Sequence, residues 1–166
     1  RAPDTATLSL GKTLKTKALI WTGGIRISEL ARKSGLKIGQ SRRIIADKFL
    51  RAEGHPFIYA IGDNALAINP ITGKSVPTAA QFALQQGRLV AYNIYADIFE
   101  GVRKPYHPKV LGEVVSLGRH LAVGWLALPF LKKITFVGFL GSLLKTAVQE
   151  KHIFLLRKES GKWITS

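Results

Sequence analysis

Apolar residues in the first part of the chain fall into short runs that end at glycines, a pattern typical of strands. Residues 57–61 (FIYAI) are all apolar, with β-branched residues at Ile58 and Ile61, and such a run predicts a strand buried on both faces. Gly62 and Asp63 follow directly. Because ligands of open α/β sheets bind at the carboxyl ends of strands, this pair marks a candidate ligand site.

A second run, residues 17–21 (KALIW), predicts another short strand. It is broken by Gly23 and Gly24, and two adjacent glycines let a ligand or a neighbouring strand approach the backbone closely. The other elements expected in this half are a helix over residues 26–35 that ends near Gly35, an edge hairpin over residues 42–50 and a turn-rich loop over residues 65–76.

The clearest helix is predicted from Thr78 to Phe99, and Pro77 precedes its start. Gln81 and Gln85 stack on one face of this helix, which could point at solvent or at a ligand. Its apolar positions recur with the i, i+3, i+4, i+7 spacing of a buried face: Ala91, Ile94, Tyr95, Ile98 and Val102.

Two apolar runs, residues 121–131 and 134–144, occupy the C-terminal third. Each is shorter than the roughly 20 residues that a membrane-spanning helix needs. Trp125 and Phe130 near basic residues favour helices that lie in the headgroup region of a membrane. A helical hairpin in the core or in a dimer interface is equally compatible with the pattern. The ending from residue 151 contains a strand-like apolar stretch.

The amino-acid composition limits which ligands and cofactors the chain could use. With 25 Lys+Arg against 10 Asp+Glu, the net charge of +15 predicts attraction to nucleic acid, anionic lipid or an anionic cofactor. No nucleic-acid recognition motif accompanies the charge, so specific nucleic-acid binding is not expected. The lack of cysteine excludes disulfides and iron–sulfur ligation by these residues, and the four histidines lack ligand spacing, so no metal site is predicted. Redox chemistry here would need a bound cofactor.

Three segments in this order resemble a known family: ALIWTGGI (18–25), FIYAIGDNA (57–65) and VPTAAQFALQQGRLVAYNI (76–94). They look like the C-terminal part of the two-dinucleotide-domain flavoprotein reductases, and most of all like type II NADH dehydrogenase, the single-subunit NADH:quinone oxidoreductase. The AQxAxQxG pattern that starts at Ala80 is the most specific signal. The resemblance covers nearly the whole chain but only the C-terminal part of such an enzyme.

The resemblance implies a site for FAD. Asp63 would accept hydrogen bonds from ribityl hydroxyls, and Gly62 would let the cofactor approach the backbone. The start of the long helix would direct its positive dipole end at the flavin ring. Without the resemblance, Asp63 could equally cap a turn. The cofactor-binding residues implied are Gly23, Gly24, Gly62, Asp63, Pro77, Thr78 and Ala79.

The resemblance also implies a quinone site beside the flavin. The amides of Gln81 and Gln85 would donate to a quinone carbonyl, and Lys145 matches a basic position that the family folds back toward this pocket. Without the resemblance, the two glutamines would be a solvated helix face and Lys145 an ordinary surface lysine.

The expected fold is α/β: residues 1–100 as the C-terminal portion of an FAD/NAD(P)-binding Rossmann-like domain, and residues 101–166 as a helical region that associates with the membrane or dimerises. The implied function is hydride transfer from NADH to FAD and then reduction of a membrane quinone in a respiratory chain. The protein would lie peripherally on the cytoplasmic side of the cell membrane, with a homodimer compatible with the pattern.

The sequence contains no GxGxxG fingerprint, which the family uses to hold both pyrophosphates. The chain is therefore expected to be a piece of a longer enzyme that alone binds no NADH, holds FAD weakly and is inactive. Two alternatives stay open: a non-catalytic membrane-docking or oligomerisation module, and a related flavoprotein such as sulfide:quinone reductase, which would need cysteines near the flavin.

Overall fold

The computed structural model describes residues 4–20, 22–24, 29–127 and 133–163, and these residues form a mixed α/β fold. The α/β class predicted from the sequence is confirmed at that level. In chain order the strands and helices are β1 Thr5–Thr7, β2 Thr13–Lys15, α1 Glu29–Lys33, β3 Ile44–Ile45, β4 Ala65–Leu66, α2 Ala80–Ile98, β5 Gly112–Leu117, β6 Leu121–Leu126, β7 Ile134–Gly138 and α3 Phe139–Trp163.

The N-terminal segment is an exposed hairpin in which β1 pairs antiparallel with β2. The strand predicted over residues 17–21 is wrong for its described part, since residues 17–20 join no strand and Ile20 is 85% exposed. A short apolar run needs a pairing partner and a covering layer, and residues 17–20 have neither among the described residues. Residue 21 lies outside the described part of the chain.

Helix α1 lies within the helix predicted over residues 26–35 and confirms it, although residues 25–28 fall outside the described ranges. The chain leaves this helix at Gly35, whose φ of +74° is a backbone conformation that favours glycine. The predicted C-terminal boundary of the helix is therefore confirmed.

The hairpin predicted over residues 42–50 is displaced, because the chain reverses between Ala46 and Ala52. Asp47 sets the position of the turn. Its carboxylate accepts the N–H groups of Phe49 and Arg51 at 2.8 and 2.9 Å and also pairs with the Arg51 guanidinium. Upstream of the turn, β3 runs parallel to β4, so this segment belongs to a small parallel sheet.

Residues 57–61 do not form the doubly buried strand that was predicted. Phe57 lies in a turn, and residues 58–61 are bonded along one side, where Ala60 donates its N–H to the Leu50 carbonyl and Tyr59 bridges to Arg51. Phe57 is 90% exposed, whereas Ala60 is buried. The cause is the missing second neighbour, since no described strand pairs with the other edge of this segment.

The loop predicted over residues 65–76 begins as β4 and then makes the expected turns. Gly73 donates its N–H to the carbonyl of Asn69, and Ile68 pairs with Ser75 across the turn. The Asn69-Pro70 and Thr72-Gly73 turn signals are thus confirmed.

Helix α2 confirms the predicted helix, but its buried face is not the predicted one. The stripe expected to be buried points outward, with Tyr95, Ile98 and Val102 at 61, 67 and 83% exposure. The face that packs on the core also repeats at helical spacing, and it includes two amides whose polarity hid it. The core-facing residues of α2 are Phe82, Gln86, Val90, Asn93 and Ala96.

The C-terminal third departs most from the expectation of helices. Residues 121–126 and 134–138 are β6 and β7, which form an antiparallel sheet with β5, and residues 128–132 lie outside the described part. Tight turns at glycine and the β-branched residues along β5 to β7 explain the result. Gly118, for example, turns the chain between β5 and β6 with a φ of +74°.

Helix α3 replaces the strand-like ending predicted from residue 151. Its N-terminal part packs on one face of the C-terminal sheet, where Ala122 is 1% exposed. Gly141 allows the close approach, because a Cβ there would lie 2.7 Å from the Ala122 carbonyl oxygen. Among the described residues, no helix combines the length and hydropathy needed to cross a bilayer.

Candidate functional site

Gly62 and Asp63 form a 3-10 turn over Gly62–Asn64 where the extended segment 57–61 ends. Gly62 has a φ of +65°, a conformation that favours glycine. The Asp63 side chain is half-buried, and its carboxylate makes no hydrogen bond or ion pair with another described residue. A carboxylate in that state is an acceptor ready for hydroxyl groups.

Helix α2 starts beside this turn without a side-chain cap. Its N-cap residue, Ala79, offers no hydrogen-bonding side chain, so the amides at the start of α2 have no side-chain partner. Pro77 and Thr78 lead into this helix end. An uncapped helix start presents N–H donors and a positive dipole end, which suits carbonyl or anionic groups of a ligand. The donor set therefore fits a flavin ring above α2 and its ribityl chain near Asp63.

Two buried side chains that the sequence analysis missed hold the turn and the helix start together. Gln86 is 2% exposed and accepts the Gly62 N–H at 2.6 Å. Arg43 is 6% exposed and donates to the carbonyls of Ala65 and Val76, at 3.4 and 3.0 Å. In the sequence, Gln86 is marked only by its helical spacing from Phe82 and Val90, with which it shares the buried face of α2.

A charged cluster fixes the extended segment before the turn. The Tyr59 hydroxyl donates to Asp97 at 2.7 Å, and Arg103 pairs with the same carboxylate. The hydrogen bond from Tyr59 is the main reason that the pKa of Asp97 lies below its ordinary value. Burial is the largest cause that raises the pKa of Tyr59, and the hydrogen bond to Asp97 raises this pKa further. The cluster thus joins segment 57–61 to the C-terminal end of α2.

Tyr106 lies on the other side of Gln86. It is 4% exposed, and its hydroxyl has no partner in hydrogen-bond geometry. Burial raises the pKa of Tyr106, and the neighbouring Gln86 carboxamide partly offsets that rise. Gln86 therefore sits between the Gly62 turn and the segment that follows α2.

Gln81 and Gln85 are occupied by backbone rather than free. Gln81 accepts from the Leu111 N–H and donates to the Gly112 carbonyl, both at 2.9 Å. Gln85 accepts from the Lys109 N–H at 2.9 Å and donates to the Lys109 carbonyl at 2.8 Å. We call residues 108–112 the strap, since they lie across α2 on these two amides.

A cavity of about 420 Å³ opens between the start of α2 and the strap. Pro77, Thr78, Ala79 and Gln81 line it, together with residues of the 69–76 turn and the strap. Gln85 is not among the lining residues. The cavity therefore joins the uncapped helix end to Gln81, one of the three predicted quinone-binding residues.

The remaining predicted site residues lie elsewhere. Lys145, on α3, donates to the Ser116 hydroxyl on β5 and does not line the cavity. Gly24 has a φ of +96°, and a Cβ built on it would meet nothing within 4 Å. No described residue packs closely against Gly24, so the close approach predicted there has no partner among the described residues.

Comparison with known proteins shows the family of the chain. Residues 2–87 match the family model described as pyridine nucleotide-disulphide oxidoreductase. The match covers more than half of the chain, and the chain belongs to this family. Its 166 residues contain no cysteine, so they supply no redox disulfide.

Within this family, the chain is similar to proteins named as quinone oxidoreductases. A type II NADH:quinone oxidoreductase from Staphylococcus haemolyticus is 36% identical over 113 residues, which are 67% of this chain and 27% of that protein. Another of that description, from Haemophilus influenzae, is 31% identical over 129 residues, 77% of this chain and 29% of that protein. The chain thus spans less than a third of either relative.

A solved structure shares the fold. The ferredoxin reductase from Rhodopseudomonas palustris superposes with a TM-score of 0.54 at 29% identity, covering 76% of this chain and 30% of that chain. The same fold thus occurs in a protein named for a different electron acceptor. The shared fold therefore does not identify the electron acceptor.

Proposed function

We propose that this chain is the flavin- and quinone-contacting part of an FAD-dependent NADH:quinone oxidoreductase. The observation that carries the proposal is the arrangement around α2, where an unbonded Asp63 carboxylate and an uncapped helix start are tied together by Gln86 beside an open cavity. The relatives named as quinone oxidoreductases support the same class. Residues beyond this chain would complete the FAD and NADH sites.

Each residue of the site has a specific role in this proposal. Asp63 accepts hydrogen bonds from the ribityl hydroxyls, and the first amides of α2 donate to carbonyl oxygens of the flavin ring. Gly62 leaves space for the cofactor beside the backbone. Bound FAD would supply the redox chemistry, taking hydride from NADH and delivering two electrons to the quinone.

The cavity beside α2 is the proposed quinone site. It is open, and Gln81, Val110 and Glu113 line it beside the helix start that would face the flavin. A quinone headgroup is flat and largely apolar with two carbonyl acceptors, so it suits a cavity with apolar walls and a few donors. Lys145 stays a prediction from the resemblance, since its ammonium group donates to the Ser116 hydroxyl and does not line the cavity.

The C-terminal region is proposed to attach the enzyme peripherally to the cytoplasmic side of the membrane, where the quinone is dissolved. The observation behind this is a group of exposed apolar side chains near basic ones. Val137 and Leu140 are 74 and 72% exposed, and Lys133 stacks over Trp125. Such surfaces bind anionic bilayers. Without catalysis the same surface would make the chain a membrane-docking module, and self-association through it would give a homodimer.

The flavin assignment is tested with the complete protein and the variant Asp63→Ala. A hydrogen bond to a charged acceptor contributes about 1.5–3 kcal/mol to binding. Without that acceptor, FAD affinity should fall about 10- to 100-fold. Fluorescence titration of the apoprotein with FAD measures it. As a control, Asp4→Ala removes a carboxylate from the exposed N-terminal hairpin and should leave the FAD affinity unchanged. Equal affinity of the Asp63 variant and the wild type would refute the site.

A further inference from the structure

The strap is fastened to α2 by two side chains that act like rungs of a β-ladder. A carboxamide carries one donor group and one acceptor in a single plane, as a peptide unit does. Gln85 exchanges two hydrogen bonds with Lys109, whereas Gln81 accepts the Leu111 N–H and donates to the Gly112 carbonyl. Four bonds of 2.8–2.9 Å thus replace a missing neighbouring strand.

The spacing of the two glutamines matches the spacing of the strap. Four residues of helix rise about 6 Å, and two residues of extended chain span about 6.6 Å. Gln81 and Gln85 therefore meet Leu111 and Lys109 in register. The AQxAxQ spacing encodes this fit, because both glutamines must lie on one face of α2.

Other contacts hold the chain upstream of the strap and at Leu111, and Gln85 holds Lys109 between them. Tyr106 donates its N–H to the Lys48 carbonyl at 2.7 Å, and downstream Ala127 donates to the Leu111 carbonyl at 2.9 Å. Among the described residues, the N–H and carbonyl of Lys109 bond only to Gln85.

The strap also forms a wall of the cavity. Pro108, Val110 and Gly112 line it, whereas the carboxamides of Gln81 and Gln85 are already engaged by the strap backbone. At Gly112 the strap passes into β5 with a φ of +150°, and a Cβ there would overlap the Trp125 carbonyl. The wall position is thus determined by the glutamines on one side and the sheet on the other.

We propose that Gln81 and Gln85 are positioning residues: each uses one N–H and the oxygen of its carboxamide to hold the strap as a wall of the cavity, and so they control quinone access. This inference rests on the proposed function for the identity of the substrate. The clamp itself does not depend on that function. Gln85 separates the two roles best, because it holds the strap without lining the cavity.

The test compares Gln85→Ala with Gln149→Ala, an exposed glutamine on α3, in the complete flavin-loaded protein. Amide hydrogen exchange at Lys109 measures the clamp directly. We expect about a fivefold faster exchange in Gln85→Ala, the size expected for loss of one partly exposed hydrogen bond. Quinone KM should rise several-fold while NADH still reduces the flavin at the wild-type rate, and Gln149→Ala should behave like wild type.

A second variant, Gln85→Glu, gives a signature that a general loss of stability would not produce. At neutral pH its carboxylate keeps the acceptor but faces the Lys109 carbonyl without a proton to donate. Protonation restores the donor. The Lys109 protection factor of Gln85→Glu should therefore change between about pH 6 and pH 4, near the usual glutamic acid pKa, because protonation alters both the acceptor and the donor that face Lys109. The wild type and Gln85→Ala should show no such change.

The outcomes separate the clamp from the proposed function. Unchanged Lys109 protection in Gln85→Ala, or no pH-dependent change in Gln85→Glu, overturns the clamp. Faster exchange with unchanged quinone KM overturns control of quinone access while leaving the oxidoreductase assignment intact. A wild-type protein that reduces no quinone contradicts the proposed function, and the exchange data still decide the clamp. Faster exchange together with a higher quinone KM supports the whole inference.

Discussion

At the scale of single residues, buried amides organise the site. Gln86 holds the Gly62 turn, while Asn93, 0% exposed, donates to the carbonyls of Phe49 and Lys104. The sequence analysis placed Gly62 and Asp63 at the carboxyl end of an extended segment, where the turn Gly62–Asn64 lies, and the ligand role of Asp63 stays a prediction. It missed Gln86 and Asn93 because apolar periodicity gives no weight to an amide that faces the core. Their partners are backbone groups distant in sequence, which only the fold brings together.

Replacing Gln86 by leucine should destabilise the protein. The change keeps a side chain of similar size but leaves the Gly62 N–H, part-buried, without its acceptor. The expected loss is about 1–3 kcal/mol in the free energy of unfolding, measured by urea denaturation. Gln149→Leu on the exposed side of α3 should change it by less than about 0.5 kcal/mol. Equal stability of both variants would show that the Gln86 contact is unimportant.

The Tyr59, Asp97 and Arg103 cluster predicts an acid-sensitive contribution to stability. Since the pKa of Asp97 is lowered in the folded state, its contribution is present above the unfolded value of about 3.9 and disappears as the pH falls through the lower folded value. Wild-type stability should therefore fall more steeply below about pH 4 than that of Asp97→Asn. Urea denaturation at a series of pH values measures the difference, and parallel curves would contradict it.

At the scale of elements, local signals predicted some structures and failed for others. Helix α2 follows from a long stretch without interior proline that begins after Pro77, and the turn at Asn69 to Gly73 follows from turn residues that act locally. The strands β6 and β7 were predicted as helices, because a continuous apolar run fits either element when both faces contact something. These residues form strands because β5 pairs with the sheet and α3 covers it, and the apolar run alone predicts neither contact.

Gly141 should be the most sensitive position in the packing of α3 on the sheet. Gly141→Ala places a methyl group 2.7 Å from the Ala122 carbonyl oxygen, so the helix must shift, at a cost of about 1–3 kcal/mol. Gly87→Ala is the matched control in α2, where a Cβ meets nothing within 4 Å and alanine should stabilise the helix by about 0.5–1 kcal/mol. Thermal unfolding of both variants gives opposite shifts in Tm, and a Gly141→Ala Tm at or above wild type would contradict the packing.

At the scale of the molecule, the two predicted regions, residues 1–100 and 101–166, are joined by the strap on α2. The division itself stays a prediction. Several apolar surfaces are exposed, including Ile98 and Val102 beside α2 and one face of the C-terminal sheet. The chain spans less than a third of the two relatives described above, and segment 57–61 is paired along one edge only among the described residues. The sequence could not reveal which apolar faces are covered within these residues.

The proposed membrane attachment predicts binding to anionic vesicles that weakens with salt, since the net charge is +15. Val137→Asp with Leu140→Asp should reduce co-flotation with such vesicles, because both side chains are exposed beside basic residues. Ile71→Asp changes an equally exposed apolar residue in the 69–73 turn and should bind like wild type. Equal flotation of all three proteins would argue against this surface.

The most direct measurement follows the flavin absorbance of the complete protein in a stopped-flow instrument, first with NADH and then with a short-chain quinone. Our account predicts bleaching of the visible flavin band by NADH and its full recovery on quinone addition. In Gln85→Ala, bleaching should be unchanged and recovery at low quinone concentration slower. A band that NADH bleaches but quinone fails to restore, while a ferredoxin or a disulfide restores it, would contradict the assignment of quinone as the acceptor.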